Sequence, residues 1–422
     1  MWLRSVVGGM LFLRFVASAW ALDASALAIE MSTRYAPYAD WAKVMDVDVL
    51  ARQTPSRYWR TPNEIVSERA EGALPLAGLH IALDPGHIGG AWADAEGRHF
   101  RITEDDFYVR EGELVLLVAQ RAREQLVALG AKVSLLREAN LPVNPKRPFD
   151  YLELAATQVR QPIECTPEAL WAYGSALRAR AERLSIVTGE LLERARLVNQ
   201  EIQPDALISL HINAAAWPVS ESESESESDS ESEIDSESES DSESESDSES
   251  ESDSKVGDDG YSDKYGDEKM LCLVDSNHLH ALIFGCMSAG ELQSGRQQAQ
   301  LAVKLVNGSG AVELSLGDAL MVTLAEATAL PAGKYEGHNA ILLDLEQPYL
   351  FARNLLMLRM VECPTVLLEP HVANSVTAYA RIQAALADRA AARALADDDI
   401  LVEYADAVVA GVLACYADVS VD

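Results

Sequence analysis

Positive charge is scarce in this chain: 34 Lys and Arg stand against 67 Asp and Glu, for a formal net charge of -33. Phosphate backbones are bound by clustered Lys and Arg, and the sequence has no such cluster, which argues against nucleic acid as a partner. Neither GxGxxG nor GxxxxGK followed by Ser or Thr occurs, so the two common phosphate-cradling loops are missing as well. The five cysteines, Cys165, Cys272, Cys286, Cys363 and Cys415, include no CxxC pair. An odd number spread this widely is no disulfide framework; one bridge is possible in an oxidising compartment, and buried free thiols are the plainer expectation. No run reaches the roughly 18 uninterrupted apolar residues of a membrane span.

What the chain does have is apolar content, 48% over 422 residues, enough to bury a large core. Much of its acidity is local. Residues 221–253 alternate Ser with 17 carboxylates, and Ile234 is their one apolar residue. Like charges repel and nothing there can be buried, so an extended, disordered insertion is expected. A tolerated low-complexity expansion is the plain reading of it; weak divalent-cation binding or electrostatic gating of a nearby site is the functional one. The N-terminus has the pattern of an export signal over residues 1–21: Arg4, an apolar stretch at 6–16 interrupted by Arg14, then Ala17-Ser18-Ala19 or Ala19-Trp20-Ala21 as cleavage sites. An uncleaved anchor helix is the alternative. Export would place the mature chain in the periplasm or cell envelope, with no transmembrane span.

Residues 22–78 form an N-terminal extension of unknown role, with Trp41 and Trp59 as packing anchors. From residue 79 the pattern becomes α/β. An apolar run at 79–83 ends at Asp84-Pro85-Gly86-His87, a strand entering a tight turn. A helix is expected at 111–129, stopped by Gly130, and a strand at 131–136; this strand-helix-strand unit should give two parallel strands with a right-handed crossover. A Pro-rich loop then leads into a helical stretch at 167–199, whose basic residues read as a solvated face. The strand Ala206–Leu210 delivers His211 and then Asn213. A strand at Leu279–Phe284, a helix at 288–306, a short helix at 355–360 and a buried strand at 365–368 follow, the last delivering Glu369, Pro370 and His371. The end of the chain, 378–416, is helical with a break near 397–399.

Two imidazoles at two strand ends suggest a metal site. Zinc hydrolases take three ligands of the His/Glu type, and a further carboxylate serves as general base. His87, Glu111, His211 and Glu369 are the matching parts. Each has a plainer alternative: a histidine held by an ordinary hydrogen bond, a Glu favoured by a helix dipole, a Glu369 paired with an arginine such as Arg359.

In their order these stretches resemble the zinc-dependent N-acetylmuramoyl-L-alanine amidases of bacterial cell-wall remodelling (amidase type 3). That family has an apolar strand ending in DPGH, a Glu opening a helix, a strand ending in SIHANA, and PAVLVE near its end. Here the counterparts are Ile81-Ala-Leu-Asp-Pro-Gly-His87, Glu111 to Ala119, Ile208-Ser-Leu-His-Ile-Asn-Ala214 and Pro364-Thr-Val-Leu-Leu-Glu369. Ala352 to Arg359 is similar to the family's R-x-L-x-V-L-R run, and Tyr404 to Gly411 to its closing helix. The resemblance covers 79–416. It implies an α/β fold, a three-layer single catalytic domain with a mostly parallel twisted sheet flanked by helices, with insertions at about 138–190 (helical) and 218–270 (Ser/acid-rich, disordered).

The same resemblance implies that His87, Glu111 and His211 hold Zn2+, with Glu369 as general base and acid in cleaving the amide between N-acetylmuramic acid and L-alanine of peptidoglycan. Glu113 competes with Glu111 for the ligand role; at i, i+2 on one helix only one can serve, and the spacing to Ala119 favours Glu111. Asp84 would orient the turn or a ligand, and Asn213 would contact substrate. The alternatives are another zinc amidohydrolase or peptidase on the same fold, or a non-catalytic peptidoglycan-binding protein. A regulatory protein partner could act through a covering segment, for which either insertion offers the chain. The family continues after its catalytic Glu with x-G-F-x-S-N, whereas this chain has Pro370-His371-Val372-Ala373-Asn374, one residue shorter to the Asn. His371 then either supports Glu369, hydrogen-bonds substrate, or is an exposed loop residue. His80, His99, His278, His280 and His338 match no ligand position and are expected to be structural or on the surface.

Overall fold

The computed structural model describes residues 23–214 and 272–417, apart from 336, 346, 394, 395 and 397. The export-signal pattern and the Ser/acid insertion lie outside the described residues. The described strands are β1 (His80–Pro85), β2 (His99–Phe100), β3 (Val109–Arg110), β4 (Lys132–Leu135), β5 (Ala206–Leu210), β6 (Leu279–Phe284), β7 (Ile341–Leu342), β8 (Leu350–Arg353) and β9 (Thr365–Pro370). Seven of them form one sheet in the order β4-β1-β5-β9-β6-β8-β7. The first four are mutually parallel. Strand β6 runs antiparallel to β9, β8 parallel to β6, and β7 closes the edge antiparallel to β8.

The strands carry near-continuous apolar runs because both faces of the sheet are covered. Ile81 and Leu83 of β1, Ile208 and Leu210 of β5, and Val366 and Leu368 of β9 point to one face, against Leu114, Val115 and Val118 of the Glu111–Ala128 helix and residues of the Ser309–Thr328 and Ile400–Tyr416 helices. Ala82 and Leu207 point the other way, toward Ala195 and Val198. Leu282, Phe284 and Leu367 join that second face, packed on Met31, Tyr35 and the Gly295–Asn307 helix through Leu301 and Leu305. The result is helices, sheet, helices in three layers, the α/β class expected from the alternation of elements.

Parallel pairing of β1 and β4 across the Glu111–Ala128 helix, and of β5 and β9 beside them, aligns the carboxyl ends of β1, β5 and β9 along one rim. Open α/β sheets bind ligands on that rim. The segment before β1 packs into the same core. Arg34 donates to the carbonyls of Phe284 (2.9 Å) and Gly310 (3.0 Å) and ion-pairs with Glu313. Lys304 also contacts Glu313, at 2.7 Å, and all three side chains are buried. Trp59 is buried as expected; Trp41 is half-buried at the margin of the second-face core.

Two local expectations need correction, and one helix is additional to them. The helix expected at 288–306 begins only at Gly295, because Ser294 caps it through Gln297 and Glu291 closes a separate turn onto the Ser288 amide. The Ser309–Thr328 helix had no counterpart in the sequence reading; its residues are apolar on nearly every side, which blurs a 3.6-residue period. The basic residues of 167–199 are not all solvated, since Arg194 is 1% exposed. All five cysteines are free, with Cys286, Cys363 and Cys415 buried. Among the described residues, no helix is long and apolar enough to cross a membrane.

Candidate metal centre

Strand β1 ends in a turn that is tied down from two sides. The Gly86 amide donates to the Leu210 carbonyl at 2.9 Å. Arg137 donates to the carbonyls of Pro85, Gly86 and Gly112, and Arg194 to those of Pro85 (2.9 Å) and His87 (2.8 Å). Arg194 is itself held by Asp84 at 2.7 Å and Glu190 at 2.9 Å. Asp84 also accepts the Ser209 hydroxyl (2.9 Å), its register partner on β5. Asp84 thus anchors the arginine that holds the turn. His87 takes φ 51, a left-handed conformation that a non-glycine residue keeps only where its surroundings enforce it.

Glycine at 86 has a steric cause. A Cβ there would stand 2.3 Å from Cε1 of His211. Without one, the His87 and His211 rings meet edge to face, their centroids 5.1 Å apart. Glu111 lies between them at the first position of its helix, where the helix dipole favours a negative charge. Its Oε2 is 3.2 Å from His87 Nε2 and its Oε1 is 3.0 Å from His211 Nδ1, and Oε1 also accepts the Ile212 amide at 3.1 Å. Burial by itself would raise the Glu111 pKa, but the charges of His87 and His211 and the hydrogen bond from His211 outweigh it and the net shift is downward. For His211, burial would lower the pKa and the Glu111 contacts reverse this to a rise.

The other nitrogen of His87, Nδ1, faces Glu96 Oε1 at 3.5 Å. Glu96 is fixed by the amides of Ile88 and Gly89. A carboxylate behind a histidine is the arrangement that orients a metal-binding imidazole and sets its tautomer.

These three side chains fit zinc. Each offers one ligand atom, and the atoms lie within 4.8 Å of one another. Two imidazoles and one carboxylate are also a donor set that zinc hydrolases use. Glu113 is outside the cluster, turned toward Arg110 at 3.4 Å.

Glu369 ends β9, the strand next to β5. Its partner is His280, with Nε2 2.9 Å from Glu369 Oε2. Arg359 binds Gln300 and Asn354 instead. Burial would raise the Glu369 pKa; the hydrogen bond and charge of His280, with the charges of His211 and Arg353, overcome this and hold it at about 2. The rim is open to solvent among the described residues: the side chains of His87 and Glu369 are each 22% exposed.

His371 is buried, so its reading as an exposed loop residue does not hold. It stands at the glycine position of the x-G-F pattern and takes a left-handed conformation that favours glycine, φ 68. Its Nε2 lies 3.5 Å from Glu403, not against Glu369. Asn213 joins this loop: its carbonyl accepts the Ala373 amide (2.7 Å), and its side chain lies 3.5 Å from His278. His280 was expected to be structural or on the surface; it is buried and contacts the proposed base. The signal was His278-Leu279-His280, two imidazoles two residues apart where a strand begins. Glu96, Arg137 and Arg194 gave no comparable signal.

No family model matches the chain. Among curated proteins it is similar to the tRNA modification GTPase MnmE of Janthinobacterium sp. (strain Marseille), 29% identical over 159 residues. That match covers 36% of this chain and 32% of MnmE, so the chain spans about a third of the length of the curated relative it matches. Among solved structures it is similar to the N-acetylmuramyl-L-alanine amidase Ami1 of Mycobacterium abscessus, at 13% identity and TM-score 0.39, covering 80% of this chain and 99% of that one. The CwlD amidase of Clostridioides difficile, solved in complex with the GerS lipoprotein, gives 11% identity and TM-score 0.36 over 79% and 96% of the two chains. The amidase AmiC2 of Nostoc punctiforme gives 13% and 0.35 over 81% and 97%. Overlaps of that size decide neither fold nor function, which rest here on the sheet and on the His87–Glu111–His211 cluster.

Proposed function

We propose that this protein is a zinc amidase that hydrolyses the bond between N-acetylmuramic acid and L-alanine in peptidoglycan, exported to the periplasm or cell envelope. The observation that carries this reading is convergence. His87, Glu111 and His211 meet at the ends of β1 and β5, with Glu369 at the end of the adjacent β9. These are the four residues that the motif resemblance names, drawn from positions 282 residues apart along the chain.

His87, Glu111 and His211 would hold the ion. Bound there, zinc supplies Lewis-acid polarisation of the scissile carbonyl and acidifies the attacking water. Glu369, ionised over the whole working range, takes the proton of that water. A carboxylate held so low is a weak base, and it gives the proton up readily to the far more basic leaving amine. Asp84, through Arg194, and Glu96 keep the His87 turn and ring fixed while this happens. Asn213 lies on the same rim, beside the loop that follows Glu369, where substrate would pass.

The test is release of label from dye-labelled sacculi by the zinc-loaded chain and by Glu369→Gln. Loss of a general base lowers the rate by about 100- to 10,000-fold, with zinc content unchanged. Full activity in Glu369→Gln would refute the assigned role.

A further inference from the structure

We propose that His280 is a positioning residue for Glu369: its Nε2–H donates to one carboxylate oxygen, fixing the base and leaving the other oxygen to carry the proton. This rests on the reading of Glu369 as the general base. His280 and Glu369 are register partners across the antiparallel pair β6–β9, so backbone pairing sets the contact. Nε2 lies 2.9 Å from Glu369 Oε2 and 2.8 Å from the Tyr335 hydroxyl oxygen.

An ionised carboxylate can only accept, so Nε2 must carry the hydrogen. The other ring nitrogen agrees, because Nδ1 is buried with no hydrogen-bond partner among the described residues, and a proton there would be stranded. Gly333 closes over that edge of the ring; a Cβ on it would stand 2.8 Å from Nδ1. Tyr335 packs edge to face on the imidazole, with centroids 5.2 Å apart, and Phe351 does the same from β8 at 6.2 Å. The ring is therefore held on its faces, on its Nδ1 edge and at Nε2.

The charged and titratable groups around Glu369 come from every neighbouring element: His211 after β5, His278 just before β6, His280 of β6, Tyr335, Arg353 of β8, and Tyr404 of the last helix. Of these, His280 is the one whose contact with the carboxylate lies within hydrogen-bond distance. His280 keeps its own proton through the reaction. The proton taken from water rides on Glu369 and leaves with the amine.

The experiment compares the zinc-loaded full chain with His280→Ala, which removes the donor, and His280→Gln, which restores an uncharged one. Loss of an orienting partner lowers kcat by about 10- to 100-fold. KM and zinc content should stay near those of the unchanged protein. A carboxyl NMR titration of the zinc-free chain should show the Glu369 carboxyl rise in His280→Ala and return most of the way in His280→Gln. In a Glu369→Gln background, His280→Ala should cost nothing further.

An unmoved Glu369 carboxyl titration with unchanged kcat, or an equal further loss in the double variant, would overturn the inference. If Glu369→Gln alone stays active, it is the assignment of the base that has failed. Should His280→Ala not fold, His280→Phe removes the donor while keeping the ring's volume: a rise of the Glu369 carboxyl supports the proposal, and none refutes it.

Discussion

Replacing Arg194 by Ala would test how the His87 turn is held. The guanidinium ion-pairs with Asp84 at 2.7 Å and Glu190 at 2.9 Å, and donates to the carbonyls of Pro85 and His87. It is 1% exposed and its two carboxylates are nearly as deep. Truncation leaves two carboxylates buried without their counter-charge and two carbonyls short of a donor. Removing one partner of a buried pair costs about 3–5 kcal/mol, and each stranded carbonyl about 1–3 kcal/mol more unless water enters the space vacated. Taking about 4 kcal/mol, and at least about 2 °C per kcal/mol for a domain this large, Tm should fall by about 8 °C. Zinc affinity should weaken by about 10- to 100-fold, because the turn carrying His87 loses its anchor. Thermal unfolding monitored by circular dichroism gives the first quantity, and competition with a metal-binding dye the second. Arg194→Lys, which can reach one carboxylate but not all four oxygens, should fall between. A Tm within about 2 °C of the unchanged protein, with zinc affinity intact, would refute the reasoning.

Gly86→Ala puts a Cβ 2.3 Å from His211 Cε1. The ring must shift, at about 1–3 kcal/mol of overpacking, and zinc content measured after dialysis should drop while the far-UV spectrum stays native. For pH, Glu313 and Glu369 both have carboxyls held below their ordinary range: burial opposes this in each, and Lys304 with Arg34, or His280, overcomes it. A carboxyl depressed in the folded state contributes stability above its unfolded pKa, and that contribution is lost as pH falls toward the folded value. Tm of the zinc-free chain should therefore decline as pH drops below the ordinary glutamate value of about 4.3, with the Glu369 share persisting toward about 2. A Tm that rises on acidification below that point would contradict the sign.

Much of the fold was legible because the buried strands are short apolar runs stopped by Pro, Gly or a polar residue. The runs at β5 and β6 match Ala206–Leu210 and Leu279–Phe284, and the Glu111 helix ends one residue before the expected 129. The residues of the cluster were legible because each follows such a run directly or opens a helix. What stayed hidden depends on partners distant in sequence. Arg194 sits in a helix that looks charged and solvated, and only the fold brings Asp84, 110 positions earlier, against it. His280 reads as one histidine among several until β6 is known to run antiparallel beside Glu369. His371 gave no sign that it would keep a left-handed backbone in a buried loop.

The most direct test of the central claim is mass spectrometry of the soluble products released from purified sacculi by the zinc-loaded chain. Hydrolysis at the lactyl amide should release free stem peptides that begin with L-alanine, leaving the glycan strands uncut. Zinc bound at about one ion per chain on the cluster, with no such peptides released, would contradict it.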